Sequence, residues 1–131
     1  MIYGTGIDIV EVRRIADIIA RWGNRFVDRV FSPGEVEYCH QRALPAMHYA
    51  ARFAAKESLL KSLGIGLGMG LALNEIEVVS DRKGKPEVRL RGRAAGMLLN
   101  RGVSVAHLSL SHTRHSATAL VILEKAESAH A

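Results

Sequence analysis

The chain has 131 residues, 48% of them hydrophobic and 24% charged, which fits one domain with a core of ordinary size and a globular rather than fibrous or low-complexity class. A formal net charge of +5 and a pI near 9.8 point to an acidic partner, whether nucleic acid, a phosphorylated small molecule or an acidic protein. Aromatic residues at 5% are too few for a base-stacking platform, and there is no Lys/Arg block, so a nucleic-acid surface is disfavoured. No apolar run approaches the roughly 20 residues of a membrane span.

The start, "MIYGTGIDIV", is β-rich and predicts a strand over Ile2–Ile9. It carries no basic n-region and no small-residue cleavage site, which speaks against a secretory signal. Asp8 lies near the end of that strand and points opposite to Ile7 and Ile9. An acid in an apolar strand is costly to bury unless it is paired or metal-bound. Alternatively it faces outward, or caps the helix that follows. "EVRRIADIIARWGN" places Val12, Ile15, Ile19 and Trp22 at helical spacing, with Gly23-Asn24 as the stop. Arg14 and Arg21 share one face of this helix, and Arg25 follows just past its end. They read either as a solvated basic face or as a docking surface.

Ser32-Pro33-Gly34-Glu35 is a capping box with proline at the first helical position, so a short helix begins there. It contains Cys39, the one cysteine, between Tyr38 and His40. A lone cysteine excludes an intrachain disulfide, fits a reducing cytoplasm and reads as packing rather than nucleophile. Pro45 starts a longer helix running to Leu63, with Gly64 as its cap. At about 100° per residue, Ala50, Ala54, Glu57 and Lys61 fall in one narrow stripe beside Phe53 and Leu60. The stripe borders the core. Its charges form either an exposed i,i+4 pair or, with alanines making room, a ligand site.

"GIGLGMG", Gly64–Gly70, is a connector or a phosphate cradle. It matches neither the P-loop nor the dinucleotide fingerprint. "LNEIEVVS" and "EVRLRG" predict a hairpin around the turn "DRKGKP". "RAAGMLLNRG" predicts a short helix, "VSVAHLSLSH" and "ATALVILEK" predict two apolar strands, and "AESAHA" a frayed end. In "SLSHTRHS", Ser109, Ser111 and His112 suggest a nucleophile and base, or simply a polar strand end. His40, His48, His107, His115 and His130 show no zinc spacing. With helices mainly in the first half and strands in the second, the fold class is α+β, a single domain over residues 1–131 with a mostly antiparallel sheet.

Two carboxylates, Asp8 and Glu57, make a thin Mg²⁺ site by themselves. They suffice where phosphates and water supply the remaining oxygens, and a lysine one turn from Glu57 suits the same phosphates. Two broader readings of the residues compete: a basic nucleic-acid-binding domain, and a Mg²⁺-dependent phosphohydrolase using the same acids.

Taken in order, "GTGIDIVEVRRI", "ARFAAKESLLKSLGIGLG", "NEIEVVSDRKGKPEV" and "HLSLSHTRHSATALVIL" resemble the bacterial holo-[acyl-carrier-protein] synthases, the small 4′-phosphopantetheinyl transferases. The resemblance covers nearly the whole chain. It implies the fold of that family and transfer of 4′-phosphopantetheine from coenzyme A to a serine of acyl carrier protein, in support of fatty acid biosynthesis. It also implies release of adenosine 3′,5′-bisphosphate, a Mg²⁺ cofactor, a cytoplasmic setting, and homotrimers with sites between subunits. By motif, Asp8 and Glu57 fall on the metal acids and Lys61 on the phosphate lysine. Arg52 and His112 fall on coenzyme A phosphate contacts, and Gly84 and Pro86 on the turn beside the adenine. The first-helix arginines, Arg14 above all, fall on the surface that meets the carrier. In one departure, Ser116 stands where the family often has tyrosine.

Overall fold

A computed structural model describes residues 1–66 and 70–126. The middle of the glycine-rich stretch and the end of the "AESAHA" tail, including His130, lie outside the described residues. The elements are β1 (Ile2–Glu11), α1 (Val12–Trp22), α2 (Asn24–Val30), α3 (Pro33–His40), α4 (Pro45–Ser62), a 3-10 turn (Leu73–Glu75), β2 (Ile76–Ser80), β3 (Pro86–Leu90), α5 (Gly92–Asn100), β4 (Val103–His112) and β5 (Ser116–Lys125). β1, β5 and β4 form an antiparallel sheet with β5 in the centre, while β2 and β3, among the described residues, pair only with each other.

The α+β class is as the sequence implies, with two local departures, at α2 and before β2, and one long-range pairing that the sequence left open. α1 stops at Gly23 as read, but a further helix follows that the sequence reading did not give. Gly23 adopts φ 55°, turns the chain, and α2 starts at once, burying Val27 and Val30. "LNEIEVVS" is not strand throughout, because Leu73–Glu75 coil into the 3-10 turn before β2. The first strand closes the sheet against the last: β1 runs beside β5 from Gly4↔Leu123 to Glu11↔Ser116. The capping box forms as read, with the Ser32 hydroxyl accepting from Glu35 N and the Glu35 carboxylate accepting from Ser32 N. In the "DRKGKP" turn, the Asp81 carboxylate accepts from Lys83 N and Lys85 N while Gly84 takes φ 83°.

Helix α4 is the axis of the molecule. From Tyr49 to Ser62, all its residues are buried except Glu57 and Lys61. It lies against the inner face of β1 and β5, and two glycines allow the approach. A Cβ at Gly4 would overlap the Ser62 carbonyl oxygen, and one at Gly6 the Ser58 carbonyl oxygen. Backbone packs on backbone here, and the Ser58 hydroxyl fixes the contact by donating to Ala119 O at 2.9 Å. Gly6→Ala is therefore expected to destabilise by about 1–3 kcal/mol or more, since neither helix nor strand can yield alone. Urea unfolding measures this directly, and a midpoint equal to wild type would refute the close approach. The outer face of the sheet carries exposed Ile7, Ile9 and Leu120 at 64%, 70% and 38% relative accessibility, an apolar surface that no element among the described residues covers.

Candidate functional site

The same strand periodicity that faces Gly4 and Gly6 toward α4 also faces Asp8 inward, with Ile7 and Ile9 outward. This settles the strand alternative: the Asp8 side chain is only 14% exposed. Nor does it cap α1, whose N-cap is Glu11, without a side-chain hydrogen bond. Lys61 Nζ donates to Asp8 Oδ1 at 2.8 Å and to Ile7 O at 3.0 Å. Glu57 is half-buried beside them. Burial first, and the Asp8 charge second, push its carboxyl above the ordinary value, against the pull of Lys61 and Arg14. The hydrogen bond to Asp8 raises Lys61. Asp8, Glu57 and Lys61 are thus brought together.

Two neighbouring carboxylates, one of them uneasy about its charge, are the donor chemistry of a hard divalent cation. Among the described residues no group of three or more His, Cys, Asp or Glu side chains gathers around a metal position. The chain therefore offers such an ion two carboxylates, and the remaining oxygens must come from substrate and water. The residues fit Mg²⁺ on that condition.

A second cluster is cationic. Arg52, Gly84, Pro86 and His112, assigned from three separate parts of the chain, line one pocket of about 220 Å³ together with Tyr38, His48, Ala51, Ser80 and Leu110. The Tyr38 ring lies 4.0 Å from the Arg42 guanidinium and 4.1 Å from that of Arg52. His48 meets Tyr38 and His112 edge-on, with ring centroids at 5.9 and 5.7 Å. Burial, then the charges of Arg52, His112 and Arg42, lower the His48 pKa. Arg52 is 4% exposed, and its buried Nε has no hydrogen-bond partner. A buried guanidinium without a carboxylate beside it is expensive unless an anion supplies the missing partner. This is the chemistry of a phosphate pocket.

The two clusters do not share a cavity. None of Asp8, Glu57 and Lys61 lines the cationic pocket. On α4, Arg52 is five residues before Glu57 and nine before Lys61, placing the clusters roughly 140–180° apart around the helix.

Arg14, Arg21 and Arg25 are all exposed, Arg14 and Arg21 on α1 and Arg25 on α2. Beside them runs an apolar groove of about 830 Å³ whose lining includes Ile18, Trp22, Phe26 and Val30, with Arg25 and Arg29 also in its wall. Arg21 lies over the Trp22 ring at 5.3 Å. The Arg14 charge is felt at Glu57, so the basic face of α1 adjoins the acidic cluster.

The sequence reading missed Tyr38 and His48 in the pocket, Arg42 against the Tyr38 ring, and the contacts that Lys56 and Glu35 make with β2. One signal for them was present, since His48, Arg52 and Lys56 repeat at i,i+4 along α4 and so share a face. Cys39 is buried as expected, and burial pushes its thiol up to about 11, leaving no thiolate at neutral pH.

The family model of the 4′-phosphopantetheinyl transferase superfamily matches residues 4–121, and the chain belongs to that superfamily. Its relatives place it more narrowly. It is 55% identical over 124 residues, 95% of this chain and 97% of the other, to the holo-[acyl-carrier-protein] synthase of Syntrophus aciditrophicus. Among solved structures, that of the Neisseria meningitidis holo-[acyl-carrier-protein] synthase matches with a TM-score of 0.88 and 34% identity, covering 95% of this chain and 100% of that one. The Helicobacter pylori synthase, crystallised in complex with coenzyme A, matches with a TM-score of 0.81 and 28% identity, covering 92% and 99%.

Proposed function

We propose that this chain transfers 4′-phosphopantetheine from coenzyme A to a serine of apo acyl carrier protein, releasing adenosine 3′,5′-bisphosphate. The observation that carries this reading is the convergence of Arg52, Gly84, Pro86 and His112 on one cationic pocket, in a chain whose relatives include a coenzyme A complex. The pocket binds the phosphorylated nucleotide end. Arg52 and Arg42 supply charge, the Tyr38 ring holds both guanidiniums in place, and the Gly84–Pro86 turn leaves a flat wall for the base.

At the reacting end, the serine hydroxyl attacks the phosphorus next to the pantetheine arm. The bond to the bridging oxygen breaks, and negative charge grows on the departing bisphosphate. Lys61 offers its ammonium to that charge. Asp8 and Glu57 would hold a Mg²⁺, which supplies the larger share of charge neutralisation when bound. The serine proton needs an acceptor. Glu57, with its raised proton affinity, is the group of this chain able to take it, and a metal-bound water is the alternative.

The site is shared between copies of the chain in a homotrimer. Two observations support this: the acidic and cationic clusters sit on different sides of α4, so a second copy must bring them together, and the outer sheet face leaves Ile7, Ile9 and Leu120 uncovered. Sedimentation at micromolar concentration is expected to give three protomer masses. A single protomer mass would remove the shared site. A cytoplasmic setting is proposed on the free, buried thiol of Cys39, and among the described residues no helix is long and apolar enough to cross a membrane.

The reading is tested by following the bisphosphate. Its release from coenzyme A should require apo carrier and stop when every carrier serine is modified. Release without carrier would favour a phosphohydrolase built on the same acids.

A further inference from the structure

The cationic pocket draws its lining from α3, α4, the β2–β3 hairpin and β4, and two of these walls belong to different parts of the molecule. His48, Ala51 and Arg52 on α4 form one, and Ser80, Gly84 and Pro86 on the β2–β3 hairpin form the other. The hairpin has no ladder hydrogen bonds to the three-stranded sheet. Core packing of Ile76 and Val78 holds it in part, and a second join sets its position against α4.

That join is a buried polar network. Lys56, one turn along α4 from Arg52, is fully buried, and its ammonium spends all three N–H donors across the gap. It donates to Glu35 Oε1 at 2.7 Å, to Leu73 O at 3.0 Å, and to Ile76 O at the first residue of β2. Glu35 Oε2 in turn accepts from Val78 N at 3.0 Å. Beside it, the Ser32 hydroxyl donates to Glu77 Oε2 at 2.5 Å, and Arg91 Nη2 donates to Glu77 Oε1 at 2.8 Å. Three elements, α3, α4 and β2, are thus pinned through one ion pair and its hydrogen bonds.

We infer that Lys56 and Glu35 are positioning residues for the nucleotide pocket, fixing the hairpin wall, and with it Gly84 and Pro86, at a set distance from Arg52. This rests on the reading of that pocket as the coenzyme A site. An apolar contact at the same place would bury surface equally well, and buried ion pairs are commonly no better for stability than the hydrophobic groups that replace them. What the ion pair adds is direction. An ammonium with three defined acceptors permits one register of β2 against α4, whereas packed methylenes permit sliding. Neither residue reaches the pocket itself.

The test measures coenzyme A affinity by calorimetry, together with steady-state KM values, in the full chain. Lys56→Met keeps the length of the side chain and removes the donors. Its coenzyme A Kd and KM are expected to rise about tenfold, from a displaced pocket wall, with the carrier KM changed less than twofold. Lys56→Met alone leaves the Glu35 carboxylate buried and unpaired, so Lys56→Met/Glu35→Leu is made in parallel to restore a charge-free interior. A structural role alone predicts wild-type coenzyme A affinity in whichever variant folds cooperatively, and that result would overturn the inference. A coenzyme A Kd that stays raised in the well-folded double variant supports it. Failure of the wild-type protein to bind coenzyme A would instead sink the reading of the pocket.

Discussion

Asp8→Asn and Glu57→Gln are each expected to lower turnover by about a hundredfold or more, while the fold survives. Both substitutions keep shape and remove a charge. If the two acids hold the divalent ion, each loss weakens neutralisation of the leaving bisphosphate, and more Mg²⁺ is needed to reach half-maximal rate. The effect on stability has the opposite sign. The folded state binds a proton at Glu57 more tightly than the unfolded chain does, since burial and the Asp8 charge raise its pKa above the ordinary carboxylate value. The contribution of Glu57 therefore becomes more favourable as pH falls through the raised value toward the ordinary one, and is least favourable at neutral pH. Glu57→Gln should leave the neutral-pH melting temperature unchanged or raise it, and should flatten the pH dependence in that window. Mg²⁺ titration by activity, with melting curves across pH, separates this from an exposed Glu57–Lys61 pair, which predicts near-normal turnover and metal dependence. Lys61→Ala should weaken phosphate handling but retain metal dependence, since a protonated lysine is no metal ligand.

Reversing the basic face of α1 is the second large effect. Acyl carrier proteins are acidic, and the groove beside Arg21 and Arg25 offers apolar contact from Ile18, Trp22 and Phe26 within a basic rim. Such a surface suits an acidic helix with a few apolar side chains: charge steers the encounter, and the groove holds the product of it. Arg14→Glu/Arg21→Glu should raise the carrier KM roughly tenfold or more, mostly through association rate, and leave coenzyme A affinity as it is. Added salt should raise the wild-type carrier KM in the same direction. Because Arg14 also acts on Glu57, the Arg21→Glu single variant isolates docking from any change at the acids. An unchanged carrier KM in the double variant would remove docking from this helix.

Most of the fold could be read from the chain because its signals are local. The Ser32–Glu35 box, the proline at Pro45, the turn at Gly84 and the alternation in the last two strands each dictate their own element. α2 escaped because Gly23-Asn24 is as good a restart as a stop, and only the burial of Val27 and Val30 distinguishes the two. The pairing of β1 with β5 is not local at all. It joins the two ends of the chain, and the glycines that allow it, Gly4 and Gly6, matter only through the backbone of α4 behind them. The site divides in the same way. Asp8, Glu57 and Lys61 stand out from strand alternation and the stripe on α4, Arg52 and the phosphate role of His112 follow from motif order, and their neighbours follow from neither. Tyr38, Arg42 and His48 come together by tertiary contact, and Lys56 looked like another charge on a helix. Its burial against Glu35 depends on α3 and β2 closing over it, which no helical periodicity encodes.

The central claim is group transfer to a protein serine, and the mass of the acceptor reports it most directly. Apo acyl carrier protein, coenzyme A, Mg²⁺ and this protein are incubated together and the carrier is weighed intact. The account predicts a gain of one phosphopantetheine per carrier, located on its serine, abolished by removing divalent ions and strongly slowed in Glu57→Gln. A folded protein that leaves the mass unchanged over a range of carriers would contradict it.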